Sequence, residues 1–323
     1  MRICPPVAVR GVSDLSYRFR RGETLGAGAR RIAREVIDHA LKCLTDGRMP
    51  AEHRTHEARK AIKRLRGLVR LIGPEAATGA LPAKLDRGLR KTAKLLAASR
   101  DEDVLRETLA AVARDEKTHA DAETVAARIA PPDRATVAAR QRAFGRVMEE
   151  LSGIRRDFGG LRLSGNRPED LKPGYVETYR ASRKRMKKAL ATRKDAQLHR
   201  WREMVKYHGY HAGLLANLDG GRLAARRDRS RTLEELLGRH HDLVLLERRL
   251  DAVAGTGKKK SAKDKGGKAE AKAAISEAAE AASAARLRRR IRRLRREAER
   301  EAERLGKALF ATKASRAGKD LPL

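Results

Sequence analysis

Aromatic residues are scarce in this 323-residue chain: four Phe, five Tyr and one Trp, 3% in all. Single-stranded nucleic acid is usually held by stacking its bases on aromatic side chains, so this chain is better suited to phosphates than to bases. Cysteine is nearly absent. Cys4 and Cys43 make neither a disulfide framework nor a metal-ligand spacing, which fits a reducing cytoplasm. No apolar run approaches the roughly 18 residues of a transmembrane helix, and the N-terminus, MRICPPVAVRGVSDLSYRFRRGE, lacks the apolar core of a secretory signal. Period-2 alternation is missing throughout, which excludes a sheet and leaves an all-α fold. Negative charge is in deficit: 42 Asp and Glu against 76 Lys and Arg give a net charge of +34. Self-repulsion of that size points to a polyanionic partner, whether nucleic acid, polyphosphate or an anionic membrane surface. Gly-rich phosphate loops and dinucleotide fingerprints are also missing. His240, His241 and Asp242 have no Ser or Cys nucleophile beside them, so no catalytic residue, metal or cofactor is expected.

What is there is amphipathic helix. The clearest stretch is His56–Arg70, HEARKAIKRLRGLVR. At helical spacing His56, Arg59, Lys63, Arg66 and Arg70 share one face, and Ala58, Ile62, Leu65, Val69 and Ile72 share another. A basic helix precedes it, with the apolar positions Leu25, Ala29, Ile32, Val36, Ala40 and Leu44 and the cations Arg30, Arg31, Arg34 and Lys42; Gly47 and Pro50 end it. One helix is predicted from about Pro82 to Asp115, and another, opened by Pro131-Pro132, ends at Gly159-Gly160. The turn-rich stretch 164–174 is the best internal boundary. Beyond it lie a helix through Tyr175–Leu190, one containing His199–Leu218, one through Leu233–Leu250, and a long arginine-rich helix over about Ala269–Phe310. The Lys/Gly-rich stretch 255–268 reads equally as a cationic arm or a solvated linker.

The halves repeat. An offset of 143 pairs His56 with His199, Arg59 with Arg202 and Lys63 with Lys206, and an offset of 139 pairs Arg100 with Arg239 and Asp103 with Asp242. Each half then reads as four helices, and two four-helix units with approximate symmetry follow.

The motifs His56–Arg66 and Ser99–Leu105, followed by His199–Arg202 with Lys206 and Tyr207 and then Gly238–Asp242, resemble the CHAD domain, the family named for histidines on an α-helical domain. The resemblance spans roughly Arg21–Phe310. It implies two four-helix bundles about a pseudo-twofold axis, a groove lined by basic residues from both, binding of inorganic polyphosphate, and residence on polyphosphate granules in the cytoplasm. The expected layout is an irregular arm over 1–21 and the domain over 22–311. Within the domain the first half is 22–163, the connector 164–174 and the second half 175–311; a frayed tail covers 312–323. The family often accompanies a triphosphate-tunnel domain. Only about twenty residues precede the first helix, so a stand-alone protein is expected. The chain departs from the family pattern at Gly209 and Gly213, and Glu203 stands where the first half has Lys60, which predicts a weaker second face.

The candidate polyphosphate ligands are Arg31, Arg34, His56, Arg59, Lys63, Arg66, Arg183, Lys187, His199, Arg202 and Lys206. His56 and His199 are open to three roles: phosphate contact, structural pairing and, with least support, metal binding. Arg100, Asp101, Asp103, Arg239 and Asp242 are expected to pair structurally, because carboxylates repel a polyanion. Two other functions fit the same charge. One is a general polyanion or nucleic-acid backbone binder; the other is an enzyme acting on polyphosphate or triphosphate.

Overall fold

Thr24 starts the first helix. Its hydroxyl accepts the Ala27 amide at 3.3 Å, a standard N-cap, and α1 runs Leu25–Thr45 in the computed structural model of the chain. The structure describes residues 17–77, 79–96, 101–114, 116–129, 137–257 and 268–319. Among these are eleven α-helices and no strand, with only a single bridge between Ala77 and Leu163. After α1 come α2 (Ala51–Ala76), α3 (Leu81–Leu95), α4 (Asp101–Val112), α5 (Glu116–Ile129) and α6 (Val137–Gly159). A short 3-10 turn precedes α7 (Lys172–Thr192), α8 (Asp195–Leu215), α9 (Ala224–Gly257), α10 (Lys268–Leu309) and α11 (Ala314–Lys319). Among the described residues no helix is long and apolar enough to cross a membrane.

The apolar stripes meet in three clusters. Ile32 and Val36 of α1, Ile62 and Leu65 of α2, Leu89 of α3 and Leu151 of α6 build the first. Tyr179, Trp201, Val205, Leu233 and Ala302 bring α7, α8, α9 and α10 into another. The third was not foreseen. Where one helix was predicted over 82–115, α3 and α4 are separate. The α4–α5 pair leaves its own bundle to place Val112, Val125 and Ile129 against Leu246 and Leu250 of α9 and Leu287 and Ile291 of α10. That answers why residues 113–130 show so weak an apolar face: a few positions suffice to cover the far ends of α9 and α10. The tail also differs from expectation. Its helix α11 packs Ala314 and Ala317 on the second cluster. Of the N-terminal arm, Tyr17 and Phe19 are buried, and the Phe19 amide donates to Leu214 O at 3.0 Å. Residues 1–16, Arg100 and the stretch 258–267 lie outside the described residues.

The two halves are locked at close backbone approaches. A Cβ on Gly174 would stand 2.0 Å from Leu71 O, so α7 can begin against α2 only with glycine there. Gly67 likewise makes room for Tyr210 and the Tyr17 hydroxyl, whose atoms lie 2.9 and 3.0 Å from where a Cβ would sit. His211, fully buried on α8, holds its Nε2 3.0 Å from Gly67 O and donates to it as the Nε2–H tautomer.

Several of the arginines serve helix ends. The last carbonyls of a helix have no intrahelical partner and carry partial negative charge. Arg59 donates to Leu96 O at the end of α3 (2.7 Å), and Arg249 to Ile129 O at the end of α5 (2.9 Å). Arg30 on α1 reaches Leu161 O just beyond α6 (2.8 Å), and Arg183 on α7 reaches Phe310 O just beyond α10 (3.0 Å). The last two are equivalent contacts in the two halves, made by the opening helix of each to the end of its closing helix.

Candidate functional site: a basic groove between the halves

The charged face of α2 splits into two flanks. On one flank Arg59 caps α3, Arg66 pairs with Asp86 of α3 at 2.9 Å, and Arg70 lies over the Tyr207 ring of α8 at 4.6 Å. On the other, one turn apart, His56, Lys60 and Arg64 line a groove of about 720 Å³. The opposite wall comes from Lys206 and Tyr210 of α8 and from Arg227, Arg231 and Glu234 of α9, and Arg18 closes one side. Six Lys or Arg residues and His56 face three carboxylates, Asp228, Glu234 and Glu235. The volume falls within the roughly 300–1,000 Å³ of ordinary ligand clefts.

Local structure explains these placements. Arg64 is buried, with its guanidinium over the Tyr17 ring at 5.3 Å, while its backbone carbonyl accepts the Tyr17 hydroxyl at 2.5 Å. Lys60 lies 3.4 Å from Glu57, which also meets His39 at 3.3 Å. His39 and Lys60 overcome burial and hold the Glu57 carboxyl down at about 2. Gly209 and Gly213 are part of the groove wall, and a Cβ on Gly209 would come within 3.1 Å of Ser230 Cβ on α9, so α8 and α9 approach closely there. Tyr17 and Tyr210 are in the wall but meet each other edge to face at 5.9 Å.

Of the expected ligands, His56 and Lys206 both line this groove. Lys63, half-buried beside them, contributes to the field on Glu234. Arg202 sits just behind, in a second hollow of about 380 Å³ that also contains Arg239, Asp242 and Glu234. The others are elsewhere. Arg31 is clamped by Glu23 (2.6 Å) and Glu35 (3.3 Å) and also donates to Arg18 O. Arg34 and Lys187 are exposed on α1 and α7. Arg183 caps α10. His199 stacks on His241, ring centroids 4.3 Å apart, outside the groove wall. Burial lowers the pKa of both, that of His241 to about 4, with nearby Arg202 adding to the effect, so this pair is neutral at pH 7. Asp242 of the acidic motif stands near His199 and opposes that shift. The side chains of Asp101 and Asp103, like Arg100, lie outside the described residues.

Lys60, Arg64, Arg227 and Arg231 line the groove but are not among the expected ligands. The first two follow His56 at i+4 and i+8, so a shift of the helical wheel by one position would have found them. The contribution of α9 had no local signal.

Fold and groove together define an all-α protein with a basic cleft between two packed helical halves. Residues 31–251 match the CHAD domain, and the chain belongs to that family. Among solved structures, the CHAD domain from the plant Ricinus communis superposes with a TM-score of 0.58 at 20% identity, covering 92% of this chain and 95% of that one. PptA from Streptomyces chartreusis gives a TM-score of 0.54 at 16% identity, over 87% and 99%. At these identities the likeness shows the fold. No curated protein matches the chain in sequence.

Proposed function

We propose that this protein binds inorganic polyphosphate in the groove between α2, α8 and α9, without transforming it, and that binding attaches it to polyphosphate granules in the cytoplasm. The observation that carries the reading is convergence. Lys60 and Arg64 from one half and Lys206, Arg227 and Arg231 from the other line one groove. The link of CHAD domains to polyphosphate supplies the name of the polyanion. A chain with a charge on every unit suits such a lining, because ammonium and guanidinium groups can each take successive phosphates. Bases would find no open aromatic surface in the groove, since its two tyrosines pack on each other.

The test is competition at fixed salt among long-chain polyphosphate, duplex DNA, RNA and heparin for one labelled protein. Polyphosphate should win at equal phosphate concentration. Displacement by DNA at that concentration would reduce the function to general polyanion binding, and phosphate release from polyphosphate with Mg²⁺ would make the protein an enzyme. Lys60→Ala with Arg231→Ala should weaken binding by about 100-fold if each removes a contact worth roughly 1.4 kcal/mol. Arg296→Ala with Arg300→Ala, exposed on α10, should change it less than about threefold. Equal losses would mean that net charge governs binding.

A further inference from the structure

Glu234 stands out in a groove shaped by cations. It projects from α9 with its Oε1 3.0 Å from Lys206 Nζ and 3.1 Å from an Arg202 terminal nitrogen. All three side chains are about four-fifths covered. Glu234, with its neighbour Glu235, belongs to the walls of both the large groove and the smaller hollow, so it lies where the two adjoin. Arg202 is laid flat against α9 by Gly238: a Cβ there would come within 3.0 Å of the guanidinium. Its Nε is buried with no hydrogen-bond partner. Burial alone would raise the Glu234 pKa, but Lys206 and Arg202, with Lys63, outweigh it and keep the carboxylate ionised.

At the two repeat offsets the counterpart of Glu234 is Lys91 or Leu95, neither of them acidic. The first-half counterpart of Arg202, Arg59, reaches a helix-end carbonyl.

We propose that Glu234 is a specificity-determining competitor: its carboxylate takes the Lys206–Arg202 seat in the unliganded protein, and a polyanion gains that seat only by displacing it. This deepens the polyphosphate reading and rests on it. Lys206 and Arg202 share one carboxylate, and a chain of phosphates offers more negative charge to the same two groups. A singly charged ligand does not, so the competitor discriminates against weak anions. Displacement would also join the groove to the hollow that holds Arg202 and Arg239.

The experiment measures long-chain polyphosphate and heparin binding to wild type, Glu234→Gln, Glu234→Asp and Glu297→Gln at about 0.15 M ionic strength. Glu297 is the charge-matched control, because it is exposed on α10 outside the groove and pairs with Arg293 on its own helix. Glu234→Gln should tighten both ligands about tenfold, and Glu234→Asp, which draws the charge back by one methylene, by an intermediate factor. Glu297→Gln should give less than about twofold. Unchanged or weaker binding by Glu234→Gln would overturn the proposal and make Glu234 an organiser of its two cations. If a melting curve shows Glu234→Gln unfolded, the aspartate variant decides, and no tightening there overturns it. Wild-type protein that binds heparin but not polyphosphate would refute the polyphosphate reading, while the heparin arm still decides the competition.

Discussion

His211 is the side chain to perturb if the lock between the halves is to be tested. It is fully buried, its Nε2 bonds Gly67 O of α2, and burial lowers its pKa from the usual 6.5 to about 3. A base with a depressed folded-state pKa supports the fold fully above its unfolded pKa, and that support is lost as pH falls toward the folded value. Near pH 5 the unfolded imidazole is almost wholly protonated while the folded one stays neutral. Relative to pH 7, His211 alone then removes about 2 kcal/mol of stability. Buried His208, whose pKa is also well below normal through burial and nearby Arg226, adds a slope of the same sign. The lowered carboxylates, Glu57 among them, lose support only below their own unfolded range near 4.5, so a window of pH 5–7 isolates the histidines. In His211→Gln the amide nitrogen can still donate to Gly67 O, but nothing titrates. Urea unfolding followed by circular dichroism at pH 7 and pH 5 should show a fall smaller than wild type's by about 2 kcal/mol. The same fall in both proteins would refute the assignment of pH sensitivity to this buried contact.

Three further outcomes follow from the same contacts. Arg183→Met should cost about 1–2 kcal/mol of stability by leaving Phe310 O without its charged donor, while polyphosphate affinity moves less than about twofold; a large loss of affinity at unchanged stability would return Arg183 to the ligand set. Gly174→Ala should destabilise by about 3 kcal/mol or more, read as a lowered urea midpoint, because its Cβ would collide with Leu71 O. If about five groove cations contact phosphate, affinity should fall about 100-fold between 50 and 200 mM salt, as a titration series would show, and a flat salt response would contradict the groove.

The amino-acid sequence by itself determined the all-α class, many of the core positions and most helix ends. These follow from local rules: 3.6-residue periodicity buries Ile32, Ile62 and Leu65, and Gly47, Gly73 and Gly159 fall where α1 and α6 stop and α2 kinks. It also placed the cations of α2 on one face. Tertiary structure alone decided which of them line a groove, because a helix face spans neighbours of different kinds. Arg59 meets the end of α3, Arg66 meets Asp86, and Lys60, one position from Arg59, lines the groove. A helix end, a carboxylate from α9 and the departure of α4–α5 to a distant cluster are contacts between residues far apart in the chain, and no local pattern encodes them. Glu234 shows this most clearly: on α9 it reads as one more exposed acid, and only the approach of α8 brings Lys206 and Arg202 to it.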